Sequence, residues 1–207
     1  MTSNSTKEEI LLNSFNILKE NLNSNIKKIS EIINKVSKIN FDLSIEMWKY
    51  ILIEGESYLK LNGYFYTGSI LYNMSINFDD SKVISVIEEH EEIFVSCYNK
   101  SSDIYHYLVS DMFESGKINL ADRTIELIYQ NKVKENPFVF YLIEICEYFD
   151  NSFKDLSNFD PTWMDNNEHE SRVNIASEGS QVLLKWIDKI KDKEQKSSLM
   201  VSMVDYV

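Results

Sequence analysis

The chain is short of proline and glycine, with 2 prolines and 5 glycines in 207 residues. β-Sandwiches, β-barrels and doubly wound α/β folds need such turn residues at many chain reversals, whereas helices can be joined by turns that Asn, Ser or Asp cap. The shortage therefore predicts an all-α protein. Hydrophobic residues make up 43% of the chain, which is enough for a substantial core.

Cysteines and long apolar runs are scarce as well. The two cysteines, Cys97 and Cys146, both stand among apolar residues. A pair of cysteines in a chain of this length does not make a disulfide framework, so we expect buried free thiols and a reducing, cytoplasmic location. The longest apolar run, Phe138 to Ile143, is too short to cross a membrane, and the N-terminal residues do not resemble a signal peptide.

Motifs of several well-known chemistries are missing. The sequence has no Gly-x-Ser-x-Gly, no glycine-rich phosphate loop and no Cys-x-x-Cys. His90 and His106 lie on either side of the turn near Asn99, so antiparallel helices could bring them together with Asp103 to bind a metal, and Glu144 with Glu147 could form a carboxylate pair. Solvated helix faces explain both groups more simply. We therefore expect no catalytic residue, no cofactor and no metal site.

Residues 7–38 carry a heptad-like apolar stripe that predicts one long helix, and we assign residues 1–40 to it. The stripe advances in steps of four and three, with Asn25 at its one polar position. It consists of Leu11, Phe15, Leu18, Leu22, Ile29, Ile32, Val36 and Ile39. Such a helix can cap the end of a helical array, which is the leading interpretation, or form a homodimer through residues 7–38.

A short phrase recurs after this helix. Ile39-Asn40-Phe41-Asp42 returns as Ile76-Asn77-Phe78-Asp79, more loosely as Ile118-Asn119-Leu120, and in part as Asn158-Phe159-Asp160, with the asparagines 37, 42 and 39 residues apart. Asparagine at a helix boundary accepts hydrogen bonds from the first free backbone N–H groups. The phrases therefore predict the starts of successive helix pairs, although capping phrases also recur by chance in helical proteins rich in Asn and Ile.

Each interval has room for two helices. Residues 41–150 are predicted to form three acidic helix pairs: 43–61 with 64–76, 80–98 with 103–114, and 120–133 with 138–149. The breaks fall at Asn62-Gly63, Asn99–Ser102 and Asn136-Pro137, and a further stop falls at Ser115-Gly116. Residues 151–170 are predicted to be a loop or insertion. Residues 171–207 are predicted to hold a final pair, 172–191 with 194–206.

A two-helix repeat of about 40 residues resembles the HEAT and armadillo class, and less closely the tetratricopeptide class. The resemblance covers residues 40–207 and is one of period and layout. It implies a short right-handed α-solenoid of about four antiparallel helix pairs in one compact domain, capped by the long N-terminal helix.

The negative charge is confined to the middle of the chain. Residues 41–170 carry 9 Lys/Arg and 24 Asp/Glu, a net charge of −15, whereas residues 1–40 carry +2 and residues 171–207 carry +1. An acidic surface keeps a protein soluble and also steers basic partners, and the many tyrosines of this region would add contact area. So few cations, without clustered arginine, do not suit direct binding of nucleic acid.

We therefore predict a non-catalytic protein-interaction module that binds a basic protein. The candidate partner-binding residues are Glu54, Glu56, Tyr64, Tyr66, Asp79, Asp80, Glu88, Glu89, Glu91, Glu92, Tyr105 and Asp111. By size and charge alone, such a protein is comparable to immunity proteins, antitoxins or anti-defence inhibitors. The alternatives are a helical enzyme whose site is assembled only in three dimensions, and a structural homo-oligomer built on the N-terminal helix.

Overall fold

The computed structural model describes residues 4–54, 80–89, 91, 109–130, 138–158 and 165–206. No described residue lies in a strand, which confirms the all-α prediction. The helices are α1 (Asn4–Leu18), α2 (Leu22–Ser37), α3 (Phe41–Glu54), α4 (Asp80–Glu89), α5 (Ile118–Gln130), α6 (Phe138–Phe153), α7 (Asn166–Ile187) and α8 (Lys193–Met203). Residues 109–114 are also helical, and 3₁₀ turns span Lys19–Asn21, Lys154–Asn158 and Val204–Tyr206. The chain divides into two compact units, Met1–Ile104 and Tyr105–Val207.

The prediction of one continuous helix over residues 7–38 is wrong. α1 ends at Leu18, and a 3₁₀ turn separates it from α2. Asn21 leaves the helical backbone region, with φ −132° and ψ 66°. The Asn25 side-chain amide donates to the Leu18 carbonyl (Nδ2–O 3.2 Å), so it satisfies an acceptor at the end of α1. Asn25, the polar position of the predicted stripe, therefore stabilises the break between the two helices.

The break allows α2 to run back along α1. Asn40, just before α3, donates its side-chain amide to the Glu8 carboxylate near the start of α1 (Nδ2–Oε1 3.2 Å). Phe15, near the end of α1, packs edge-on against Tyr50, near the end of α3, with ring centroids 5.9 Å apart. α1 and α3 therefore run in the same direction, and α2 runs opposite to both.

The apolar stripe of residues 7–38 contributes to the core of the first unit. α2 packs against both α1 and α3. Five of the eight stripe residues are buried: Phe15, Leu22, Ile29, Ile32 and Val36. Burial of side chains of this size stabilises the fold by roughly 1.5–3 kcal/mol each. Two other isoleucines of α1, Ile10 and Ile17, lie outside the stripe and are exposed.

The predicted capping role of the asparagine is confirmed at one copy of the recurring phrase and wrong at another. Asn40 caps α3, because its side-chain oxygen accepts the Leu43 N–H (3.1 Å), as predicted. The prediction is wrong for Asn119, since α5 begins one residue earlier, at Ile118, and Asn119 lies exposed inside the first turn. Asn77 lies outside the described residues. α4 begins at Asp80, where an acidic residue suits the helix dipole.

The predicted stop at Ser115-Gly116 is confirmed. Gly116 adopts a left-handed conformation with φ 70°. Its N–H donates to the Phe113 carbonyl (2.9 Å), and the Lys117 N–H donates to the Met112 carbonyl (2.8 Å). This pair of hydrogen bonds is the Schellman motif, which ends a helix by satisfying its last carbonyls and favours glycine at the left-handed position.

The prediction of a loop over residues 151–170 is wrong at both ends of that range. α6 continues to Phe153, and a 3₁₀ turn follows. α7 begins at Asn166, where the Asp165 carboxylate accepts the Glu168 N–H (2.8 Å) as an N-cap. The first turn of α7 is solvent-exposed and carries no apolar periodicity, so only the cap marks its start in the sequence.

The core of the second unit contains the three phenylalanines Phe113, Phe149 and Phe153, all fully buried. The Phe149 ring centroid lies 5.4 Å from that of Phe113 and 4.8 Å from that of Phe153. α7 approaches this cluster at Gly179, where a Cβ atom would lie only 2.6 Å from Phe149 Cε2. The glycine is therefore required for close packing of α7 on the cluster.

The predicted final helix pair is present as α7 and α8, with boundaries shifted by a few residues. The two helices pack together, and Asp192 caps α8 by accepting the Gln195 N–H (2.9 Å). The 3₁₀ turn after α8 is fixed to α6, because the Tyr206 hydroxyl donates to the Asp150 carboxylate (Oη–Oδ1 2.8 Å).

Candidate partner-binding surface

Five of the predicted partner-binding residues fall on described parts of the first unit. Glu54 is the last residue of α3. Asp80, Glu88 and Glu89 belong to α4, and Glu91 follows it. The α4 helix buries Val83 and Ile87 and exposes Glu88 and Glu89, whereas Asp80 and Glu91 are half-buried. Of the four acids Asp80, Glu88, Glu89 and Glu91, Glu88 and Glu89 are therefore the more exposed.

Several predicted residues lie outside the described residues. They are the partner-binding candidates Glu56, Tyr64, Tyr66, Asp79, Glu92 and Tyr105, together with His90, Asp103 and His106 of the hypothetical metal site.

Asp111 is the one predicted partner-binding residue that falls on a described part of the second unit, and it lies beside a second acid. It is exposed on the helical segment 109–114, one turn before Glu114. Partial burial raises the pKa of the Asp111 carboxyl above its usual value, and the charge of Glu114 raises it further. The Glu114 carboxylate in turn accepts a hydrogen bond from the Ser152 hydroxyl at the end of α6. We call Asp111 and Glu114 the acidic pair.

α6 presents an exposed face that combines an aromatic ring with carboxylates. Phe140, Glu144, Glu147 and Asn151 follow one another in steps of four, three and four, so they share one side of the helix. All four are exposed, and Phe140 leaves 56% of its surface open to solvent. We call these four residues the α6 outer face. The contact between Ser152 and Glu114 brings the end of α6 next to the acidic pair.

The predicted aromatic candidates Tyr64, Tyr66 and Tyr105 lie outside the described residues. On α6, Tyr141 is buried and Tyr148 is half-buried, whereas Phe140, which was not among the predicted residues, is exposed. The signal was available in the sequence, because Phe140 shares its helical register with Glu144 and Glu147, whereas Tyr141 shares that of Ile145.

Other acids of the second unit are neutralised by neighbouring cations. Asp122 accepts hydrogen bonds from the Lys185 ammonium (2.8 Å) and the Trp186 indole N–H (2.6 Å). Arg123 pairs with Glu126 at 2.7 Å, and Lys196 pairs with Asp188 at 2.6 Å. The hydrogen bond from Lys196, reinforced by its charge, lowers the pKa of Asp188.

In the part of the chain that the structure describes, the acids of the α6 outer face and the acidic pair have no such cation beside them. Within the described ranges, Asp111, Glu114, Glu144 and Glu147 form no ion pair with Lys, Arg or His. Nor does the helix dipole explain the two glutamates of α6, since the first turn of this helix contains no acid. In these ranges their charge is therefore not neutralised by a cation.

Cys146 lies on the opposite, core-facing side of α6. It is a buried free thiol, as predicted. Burial, together with the nearby charge of Glu147, raises the pKa of the Cys146 thiol to about 12. At neutral pH the sulfur is therefore protonated and a poor nucleophile. Cys97 lies outside the described residues.

The positive charge of the N-terminal residues is concentrated on α2. Lys27, Lys28, Lys35 and Lys38 are all exposed on its outer side or just past its end, with Glu31 between them.

Among the described residues, no group of three or more His, Cys, Asp or Glu side chains is placed to hold a metal ion. In the same ranges, no helix has the length and apolar character needed to span a membrane.

Comparisons of the chain with known protein families, with curated proteins and with solved structures gave no match.

Proposed function

We propose that this protein is a non-catalytic interaction module that binds a basic protein through its acidic surface. The binding surface that we propose is the α6 outer face together with the acidic pair, all in the second unit. The first unit presents its own exposed acids, Glu88 and Glu89 at the end of α4, as a separate candidate. The single observation that carries the proposal is the exposed Phe140 in register with Glu144 and Glu147, two carboxylates without a cation in the described structure.

The chemistry of this face suits a cationic partner. An exposed aromatic side chain that becomes buried on binding can contribute a large share of the binding energy, whereas flanking charges orient the partner and accelerate encounter. The protein carries a net charge of −12, so its long-range field attracts cations as well. A lysine or arginine near Glu144 and Glu147 would restore the ion pairs that the described structure does not supply.

The unfavourable ionisation of Asp111 supports the same proposal. Its raised pKa means that the folded protein holds this carboxylate in a less favourable setting than water does. Acids that cost stability are kept most simply when they contribute to binding, because the attraction of both carboxylates to a cationic partner would offset the repulsion between Asp111 and Glu114.

The proposal extends to class and location. We propose a cytoplasmic inhibitor of the immunity, antitoxin or anti-defence type, because its acidity would complement a basic toxin or mimic nucleic acid. We also propose that its helices stack as a short right-handed solenoid of the HEAT or armadillo kind. The antiparallel order of α1, α2 and α3 and the packing of α7 on α8 support the stacking of neighbouring helices.

Affinity capture with matched variants tests the binding proposal. The triple variant Phe140→Ala/Glu144→Gln/Glu147→Gln should lose the basic partner that the wild-type protein captures. The control Glu178→Gln/Glu194→Gln removes the same number of charges from exposed positions of α7 and α8 and should retain it. Capture should also weaken between 0.1 M and 1 M salt, over which the Debye length falls from about 10 Å to about 3 Å. Equal capture by both variants, or capture insensitive to salt, would contradict the proposal.

A homodimer through residues 7–38 is a second proposal, favoured by the exposed isoleucines of α1. Ile10 and Ile17 leave 58% and 70% of their surfaces open and lie seven residues apart on one side of the helix. Light scattering of the wild-type protein and of the Ile10→Ser/Ile17→Ser variant distinguishes a dimer formed through α1 from a monomer. A dimeric mass that falls to a monomer in the variant supports this interface, and a monomeric wild type rejects it.

A further inference from the structure

We draw no further inference here: the strongest candidate, the lysine-rich outer side of α2 formed by Lys27, Lys28, Lys35 and Lys38, carries nothing because no contact in the described part of the chain shows what covers it.

Discussion

Gly179 shows how a single missing methyl group fixes the position of a helix. Helix propensity alone favours Gly→Ala in a helix interior by about 1 kcal/mol. Here the added Cβ would lie 2.6 Å from Phe149 Cε2 and 3.2 Å from Phe113 Cδ1, in a core that cannot yield without moving two buried rings. The close contact therefore outweighs the gain in helix propensity, and the substitution should lower stability.

We expect Gly179→Ala to lower the free energy of unfolding by about 1–3 kcal/mol, the usual cost of overpacking. Urea denaturation followed by circular dichroism measures the change. Asn174→Ala, at an exposed position of the same helix, is the control and should be neutral or slightly stabilising. An increase in stability for Gly179→Ala would show that α7 does not pack on the phenylalanine cluster at this point.

Asp111 gives a prediction about pH. Because its pKa is raised in the folded state, the folded protein binds the proton more tightly than the unfolded chain does. The stabilisation from this proton is present at low pH and is lost as pH rises through the folded pKa, so ionised Asp111 destabilises the fold at neutral pH. We expect Asp111→Asn to be more stable than wild type at pH 7 and to lose this advantage below pH 3.8, the ordinary pKa of an aspartate carboxyl. Chemical denaturation at both pH values checks the sign, and a variant less stable at pH 7 would contradict it.

Cys146 should be inert in the folded protein. A buried thiol with a pKa of about 12 exposes almost no thiolate at pH 8, so reaction with a disulfide reagent requires unfolding. The measurement uses a Cys97→Ser background, in which Cys146 is the one remaining thiol. We expect labelling to be slow under native conditions and complete in urea. Rapid native labelling would show that α6 exposes this side.

At the scale of the helix, a boundary was predictable from the sequence where it depends on a residue type with a distinctive backbone preference. Gly116 ends a helix because only glycine readily adopts its left-handed conformation, and that position was predicted. The break at residues 19–21 was missed, because an apolar stripe of the same period serves one long helix or two that fold back on each other. Tertiary packing of α2 against α1 and α3 decided between them.

The two asparagines Asn40 and Asn119 occupy the same place in similar phrases but have different roles. Asn40 accepts the Leu43 N–H and bonds to Glu8, whereas Asn119 is exposed inside α5. We expect Asn40→Ala to cost about 1 kcal/mol through the lost cap, and Asn119→Ala to change stability by less than about 0.5 kcal/mol. Thermal unfolding of both variants measures the difference, and equal effects would contradict the assignment.

For the whole molecule, composition predicted the helical class, and segment charges predicted where the acid lies. Which acids are available could not be predicted, because Asp122, Glu126 and Asp188 acquire cations only through helix geometry and folding. The exposed aromatic residue, in contrast, is predictable from the sequence. Phe140 and Tyr141 are neighbours in the chain, but only Phe140 shares the helical register of Glu144 and Glu147, so Phe140 is exposed and Tyr141 is buried.

We expect residues 105–207 to fold on their own, since they form a compact unit with its own phenylalanine cluster. The isolated fragment should show a cooperative helical melt by circular dichroism. It should also retain the part of the partner affinity that depends on Phe140, Glu144 and Glu147. A fragment without a cooperative transition would mean that this unit needs residues 1–104 for stability.

The positions of the tryptophans allow the two units to be followed separately by fluorescence. Trp48 is buried in α3, and Trp186 is buried in α7 with its indole N–H bonded to Asp122 (2.6 Å). In a Trp163→Phe background, replacing one of these two by Phe leaves a single emitter in one unit. Loss of either buried environment shifts that emission to the red. Denaturation of the two single-tryptophan proteins therefore gives one unfolding curve for the first unit, from Trp48, and one for the second unit, from Trp186.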